Sequence, residues 1–326
     1  MKINIALLAG LSWSAIYILL ESAQSVFFGS VLQKMDSFQL GFWVFGITSF
    51  FLFLGIRKFD PEQVRLCGRN LRGLFACNCS TAAGWILYLF SIQLIEPAVA
   101  FTLSSAAMPV SAIGLAFLGI GEPVTLDTRQ KRIGFVLVSA GIVFLVGTTL
   151  LGFSGFVRGS LVTGLLGSAC ALLSGCAFAW MLIHCRTLDA RGIRPVPVFA
   201  FRFPLYIVLA AFGWLLGLDY KAPVETGDAA IAILIGLAIM AFPLYAMQKA
   251  LSGISVLLLS TITALGPFIV FLMQMVEGRV AFSGFTLAGL LIYSSGVLLA
   301  MPGLIREGAR EAPRPDTGRT RIGGKS

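Results

Sequence analysis

The sequence predicts an all-α membrane protein of ten transmembrane helices, arranged as two inverted five-helix repeats with both termini in the cytoplasm. Three observations predict it. Hydrophobic residues make up 57% of the 326 and charged residues only 12%, which leaves more apolar surface than one soluble core of this length can hide. Apolar stretches of about 20 residues, the length that crosses a bilayer, recur along the whole chain. The basic residues fall between those stretches, and almost all of them in alternate loops, as the positive-inside rule requires.

The spans are read as residues 4–31, 38–56, 73–93, 97–119, 133–151, 160–183, 197–217, 229–247, 254–276 and 284–303. With the N-terminus inside, every Lys and Arg lies on the cytoplasmic side except Lys34, Arg158, Lys221 and Arg279. On this reading Arg202 caps the seventh helix at its inner end. The first helix begins next to Met1 without a small-residue cleavage pattern and is expected to stay in the mature protein. The expected location is a bacterial-type inner (plasma) membrane, crossed many times. Residues 1–151 form the first repeat, 152–159 a periplasmic linker, 160–303 the second repeat and 304–326 a cytoplasmic tail. The tail is basic, rich in Pro and Gly and too polar to pack, so disorder and attraction to anionic lipid are expected of it.

The net charge of +9 does not signal nucleic acid, because the basic residues form no stripe with interleaved aromatics. The six cysteines lie in spans or in loops placed in the cytoplasm, where thiols stay reduced, so no disulfide is expected. Cys77 and Cys79 point to different helix faces and have no histidine near them, which argues against a metal site. The chain has no GxxxxGK[ST] loop and no Ser/His/Asp arrangement, so neither an enzyme nor a cofactor is expected.

The two halves repeat more than hydropathy. Tyr88 is followed by Pro109, Gly134 and Gly141, and Tyr245 by Pro267, Gly289 and Gly296. The Tyr-to-Pro spacings are 21 and 22, and each glycine pair is separated by seven. An odd number of helices per unit sends the second copy through the membrane the other way. Inverted repeats of this kind place a binding site near the bilayer midplane, at their interface, and allow access to alternate.

The stretch from Tyr88 to Glu122, YLFSIQLIEPAVAFTLSSAAMPVSAIGLAFLGIGE, resembles the EamA-type repeat of the drug/metabolite transporter superfamily. Tyr245 to Gly296, with its Lys249–Ala250 pair, is similar to the C-terminal copy. Glu277 lies three residues nearer its proline than Glu122 does, so the two glutamates are not equivalent. The resemblance implies a ten-helix carrier, usually an exporter of amino acids, metabolites or drugs, with a central cavity lined by helices 1, 3, 4, 6, 8 and 9. The partners it implies are a small-molecule substrate and the lipid bilayer.

Within the spans, Glu21 is the most informative residue. A 28-residue first helix is about 42 Å long and Glu21 lies near its middle, where an ionised carboxylate costs about 2.5–3.5 kcal/mol. It must therefore be protonated, paired or facing a hydrated cavity. Trp13, Ser14, Tyr17, Glu21, Gln24, Ser25 and Phe28 share one face, opposite Ile16, Leu19, Ala23 and Phe27. On the functional reading Glu21 binds a substrate cation or carries a proton, with Gln24 orienting it; on the other, the helix ends near Leu20 and Glu21 is interfacial.

Asn78, Thr81, Trp85 and Tyr88 form a second polar and aromatic face, suited either to a zwitterionic or partly apolar solute or to helix–helix contact. Ser105 and Thr263 accompany the internal prolines Pro109 and Pro267, whose kinks are candidates for gating. Tyr245 and Gln248 are candidates for an inner vestibule.

The reading is a secondary transporter exporting a small metabolite or amino-acid-like compound. Proton coupling through Glu21 and facilitated diffusion both stay open, as do monomer and homodimer. The competing class is a non-transporting membrane enzyme or lipid-handling scaffold.

Overall fold

A computed structural model describes residues 5–95, 97–121, 126–153, 161–219, 221, 224–277 and 282–311. Its described residues form thirteen helices that make ten candidate spans. The first six spans are single helices of the predicted kind: α1 (Ile5–Lys34), α2 (Ser37–Phe59), α4 (Leu71–Leu94), α5 (Pro97–Phe117), α6 (Arg129–Leu150) and α7 (Leu161–Ala190). A short helix, α3 (Pro61–Arg69), lies between α2 and α4. The seventh span is split into α8 (Pro195–Phe201) and α9 (Pro204–Leu215), and the ninth into α11 (Val256–Thr263) and α12 (Gly266–Glu277). Between them runs α10 (Thr226–Leu251), and α13 (Gly284–Glu311) closes the bundle.

Local chemistry sets several boundaries. Asp36 accepts the Gln39 N–H at 2.8 Å and caps α2; Thr128 and Ser255 cap α6 and α11 in the same way. Gly192, at φ +84°, ends α7 in the left-handed conformation that a side chain would resist. The proposed linker at 152–159 lies largely outside the described residues, as does the tail beyond Glu311. The tail's first residues, expected to be disordered, instead continue α13 past Pro302 to Glu311. Proline removes one backbone donor but does not by itself end a helix held on one side by packing.

Glycines let the helices approach where lipid offers no hydrophobic drive between them. On α6 and α13, Gly134 faces Gly296 and Ala300, Gly141 faces Tyr293, and Gly289 faces Leu145, so the two helices run antiparallel. Gly10 of α1 meets Gly253 and Ile254 beyond α10, and Gly84 of α4 admits the Phe178 ring of α7. Large apolar side chains such as Phe50, Phe51, Phe75, Leu165 and Val276 stand exposed on the outside of the bundle, the surface that lipid would cover.

Polar ties join the halves at both ends. At one end, Asp219 accepts from the Ser37 N–H (2.7 Å), the Ser37 hydroxyl (2.8 Å) and Lys221 (2.7 Å), and Lys221 also donates to the Leu32 carbonyl. At the other, Arg194 pairs with Asp60 at 2.8 Å and Arg191 donates to Asn70, while Arg186 donates to the Leu251 carbonyl within the second half. Lys131, almost fully buried, runs along Gly303 to reach Asp127 at 2.9 Å, which holds that exposed carboxyl below its ordinary range.

Candidate functional site

Helix α1 continues unbroken through Glu21, which therefore lies inside the span and not at its end. Its polar face turns inward as the spacing predicts: Ser14 and Tyr17 are buried, while Ile16 and Leu19 are exposed on the opposite side. Phe27 and Phe28 lie outside the described side chains. The Tyr17 hydroxyl donates to Glu21 Oε1 at 2.8 Å, one turn away on the same helix. Glu21 Oε2 is buried and has no hydrogen-bond partner.

That carboxylate borders a cavity of about 60 Å³, enough to hold water. Tyr17, Glu21, Gln24 and Ser25 of α1 line it, with Trp85 and Tyr88 of α4 and Ser105 of α5. Thr263, the last residue of α11, completes the polar part, and Met181, Leu182, Leu244 and Met247 add an apolar wall from α7 and α10. Both halves of the chain thus contribute, through spans 1, 3, 4, 6, 8 and 9. Trp85 is held edge-on by Tyr88 and Phe178, with ring centroids at 6.1 and 5.7 Å, and packs against Phe45 at 5.1 Å. A larger recess of about 570 Å³ opens near the basic end, bordered by Gly121, Ile183, Arg186, Asp189 and Val256.

Four expected site residues stand elsewhere. Asn78 is a clamp: its Nδ2 donates to the Phe201 carbonyl at 2.7 Å and its Oδ1 accepts the Leu205 N–H at 3.1 Å, which satisfies backbone groups freed by the α8–α9 break. Thr81 donates back to the Cys77 carbonyl at 2.7 Å and is fully buried against its own helix. Tyr245 packs edge-on against Trp13 at 6.0 Å, with the Lys249 ammonium 5.8 Å from its ring. Gln248 is buried beside Arg202. Periodicity identified the inward face of α4 but not which turn of it reaches the cavity.

The two prolines differ in effect. Pro109 sits within a continuous α5, whereas Pro267 follows a real break between Thr263 and Gly266, to which the Ser22 hydroxyl of α1 is tied at 3.4 Å. Glu122 lies outside the described residues.

Residues 2–147 match the model of the EamA-like transporter family. The match covers the first of the two halves, a little under half of the chain. The ten candidate spans make it a multi-pass membrane protein, and its first half is similar to transporters of the EamA-like family, a class that is typically non-enzymatic. A crystal structure of another protein is similar over 93% of this chain and 98% of that one, with a TM-score of 0.64 at 17% identity, which supports the same fold. Among curated proteins no sequence match is found.

Sequence reasoning misplaced one charged residue. Arg202, expected as an interfacial cap, is fully buried in the α8–α9 break. Its Nη1 faces Gln248 Oε1 at 3.3 Å and Cys185 Sγ at 3.7 Å, and the Cys77 sulfur lies 3.6 Å from Cys185. The signal was present in the run PVPVFAFRFPLY: a single charge flanked by prolines deep in an apolar span. Ser104 approaches Ser174 at 3.0 Å between α5 and α7, and this pairing across helices was not read from the sequence.

Proposed function

We propose that the protein is a secondary carrier that exports a small, amino-acid-like metabolite by alternating access through the cavity beside Glu21. The observation that carries this reading is the buried, unpartnered Glu21 oxygen at a cavity lined by both halves of the chain. A carboxylate with one free oxygen in a low-dielectric site is a receptor for a substrate ammonium group or a proton. Trp85, Tyr88 and the methionines supply apolar contact area, and Gln24, Ser105 and Thr263 supply orienting polar groups.

Alternating access requires the bundle to open this cavity to each side in turn. We infer that the two halves are inverted repeats and that the breaks at Arg202–Phe203 and Ala264–Leu265 are where it bends. Support comes from the repeated glycines of α6 and α13: Gly134 and Gly296 meet each other, and Gly134 packs on Ala300 as Gly289 does on Leu145, a self-complementary seam expected of two-fold-related units. On this reading the recess near Arg186 is the cytoplasmic vestibule, and the membrane is the bacterial-type inner membrane.

The test is a pH-jump flux assay in proteoliposomes loaded in turn with pooled amino acids and polar metabolites. Saturable flux whose proton dependence disappears in Glu21→Gln supports a proton-coupled carrier. Flux indifferent to both the mutation and the gradient makes it a facilitator without a role for Glu21, and no flux from any pool rejects transport through this cavity.

A further inference from the structure

A guanidinium removed from water costs several kcal/mol unless it is paired, and Arg202 is fully buried. Among the described residues no carboxylate lies within ion-pair distance of it. Its stabilisation comes from the ring faces of Phe199 and Phe203, at 5.4 and 4.9 Å from the guanidinium carbon, and from the Nη1 contacts to Gln248 and Cys185. Nε and Nη2 are buried with no hydrogen-bond partner. Those two nitrogens form one edge of the guanidinium, and that edge is the fork that holds both oxygens of a carboxylate.

The position of this free edge is built by the fold. Pro204 and the Asn78 clamp hold the α8–α9 break open with its backbone groups satisfied, so Arg202 stands between two short helices and not on a lipid-facing surface. The break adjoins the Glu21 cavity. Cys185, which Arg202 touches, is one turn along α7 from Met181 and Leu182 of the cavity wall, and Gln248 follows Met247 of that wall on α10.

We propose that Arg202, supported by Gln248, is the anion subsite of the translocation path and binds the carboxylate of the transported compound. A thiolate on Cys185 would meet only Nη1 and would leave the fork empty; a carboxylate fills it. One arginine suits one carboxylate and not a cluster of phosphates. This deepens the transport reading and rests on it: with Glu21 receiving a cationic group, the substrate class becomes compounds that carry both charges. The site is closed in this conformation and admits its ligand when the α8–α9 break moves.

The test measures thermal unfolding of the intact detergent-solubilised protein with straight-chain monocarboxylates from acetate to octanoate, and with alkylamines of matching length. The wild type is expected to be stabilised by one or more carboxylates. Arg202→Gln should weaken that binding by about tenfold or more, and Arg202→Lys, which keeps the charge without the fork, by less. Gln248→Glu supplies an internal carboxylate beside the guanidinium; it should raise the melting temperature of the ligand-free protein and abolish the carboxylate response.

A wild type that no carboxylate stabilises, or an Arg202→Gln protein that responds as the wild type does, overturns the subsite. Flux from the metabolite pools separates this outcome from the fate of the transport reading. Wild-type rates in Arg202→Gln leave a carrier without this subsite, whereas Arg202-dependent carboxylate binding with no flux from any pool leaves an anion site in a protein that does not transport.

Discussion

Gly134 and Gly296 sit face to face across α6 and α13: a Cβ built on Gly134 would lie 2.7 Å from the Gly296 carbonyl oxygen, and one built on Gly296 2.5 Å from that of Gly134. Backbone meets backbone here, so neither helix can yield by turning a side chain. Alanine at either position should destabilise the protein by about 1–3 kcal/mol, the usual range for overpacking. Gly147, on the same helix with nothing within 4 Å of a built Cβ, is the control: alanine there should be neutral or slightly stabilising. Thermal unfolding in detergent distinguishes the two sites.

Removing the Tyr17 hydroxyl leaves both Glu21 oxygens without a partner among the described residues. Tyr17→Phe should therefore lower transport while leaving the acid in place, and Glu21→Gln should lower it more. Trp85→Ala, which deletes the ring between Phe45 and Phe178, should raise the KM for substrate more than Trp85→Phe does. Initial rates over a substrate series, normalised to inserted protein, decide the order.

Asn78→Leu keeps the volume but strands the Phe201 carbonyl and the Leu205 N–H at the α8–α9 break. Each buried backbone group left unsatisfied costs about 1–3 kcal/mol. The variant should unfold at lower temperature, and hydrogen exchange should quicken first around residues 201–205. Asn78→Asp keeps the acceptor and should retain part of the stability.

Asp36, at the turn between α1 and α2, has its carboxyl raised above the ordinary range by burial, with the Gln39 N–H opposing and the Asp219 charge adding to the rise. The folded protein thus holds this proton more tightly than the unfolded chain does. The stabilisation is present at low pH and is lost as pH rises through the raised value. Asp36→Asn, which can still cap α2, should flatten that part of the pH profile, whereas Asp36→Ala should also lose a cap of about 1 kcal/mol. Melting temperatures from about pH 4 to 7, across the carboxylate range, test the sign.

The ten spans, the break before Ser37 and the inward face of α1 were legible because lipid enforces them residue by residue: an exposed Ile16 or Leu19 is cheap there and an exposed Glu21 is not. The cavity was legible only in part. Tyr17, Trp85 and Ser105 reach it, whereas Asn78 and Thr81, on the same face of α4 as Trp85, lie further along that helix and serve the break and the backbone. Depth along a helix depends on how far each neighbour leans in, which hydropathy does not encode. Arg202 was misread for the opposite reason: the positive-inside rule treats an arginine near a span's end as a topology signal, while Pro204 and Asn78 make its position interior.

The central claim is that the Glu21 cavity is the path. Its most direct test is sided thiol labelling of Ser105→Cys in proteoliposomes of known orientation, using a membrane-impermeant reagent, with flux measured on the same sample. The introduced thiol should react from each side in turn, be protected by the transported compound and block flux once labelled. Labelling from one side only, or full flux through fully labelled protein, would contradict it.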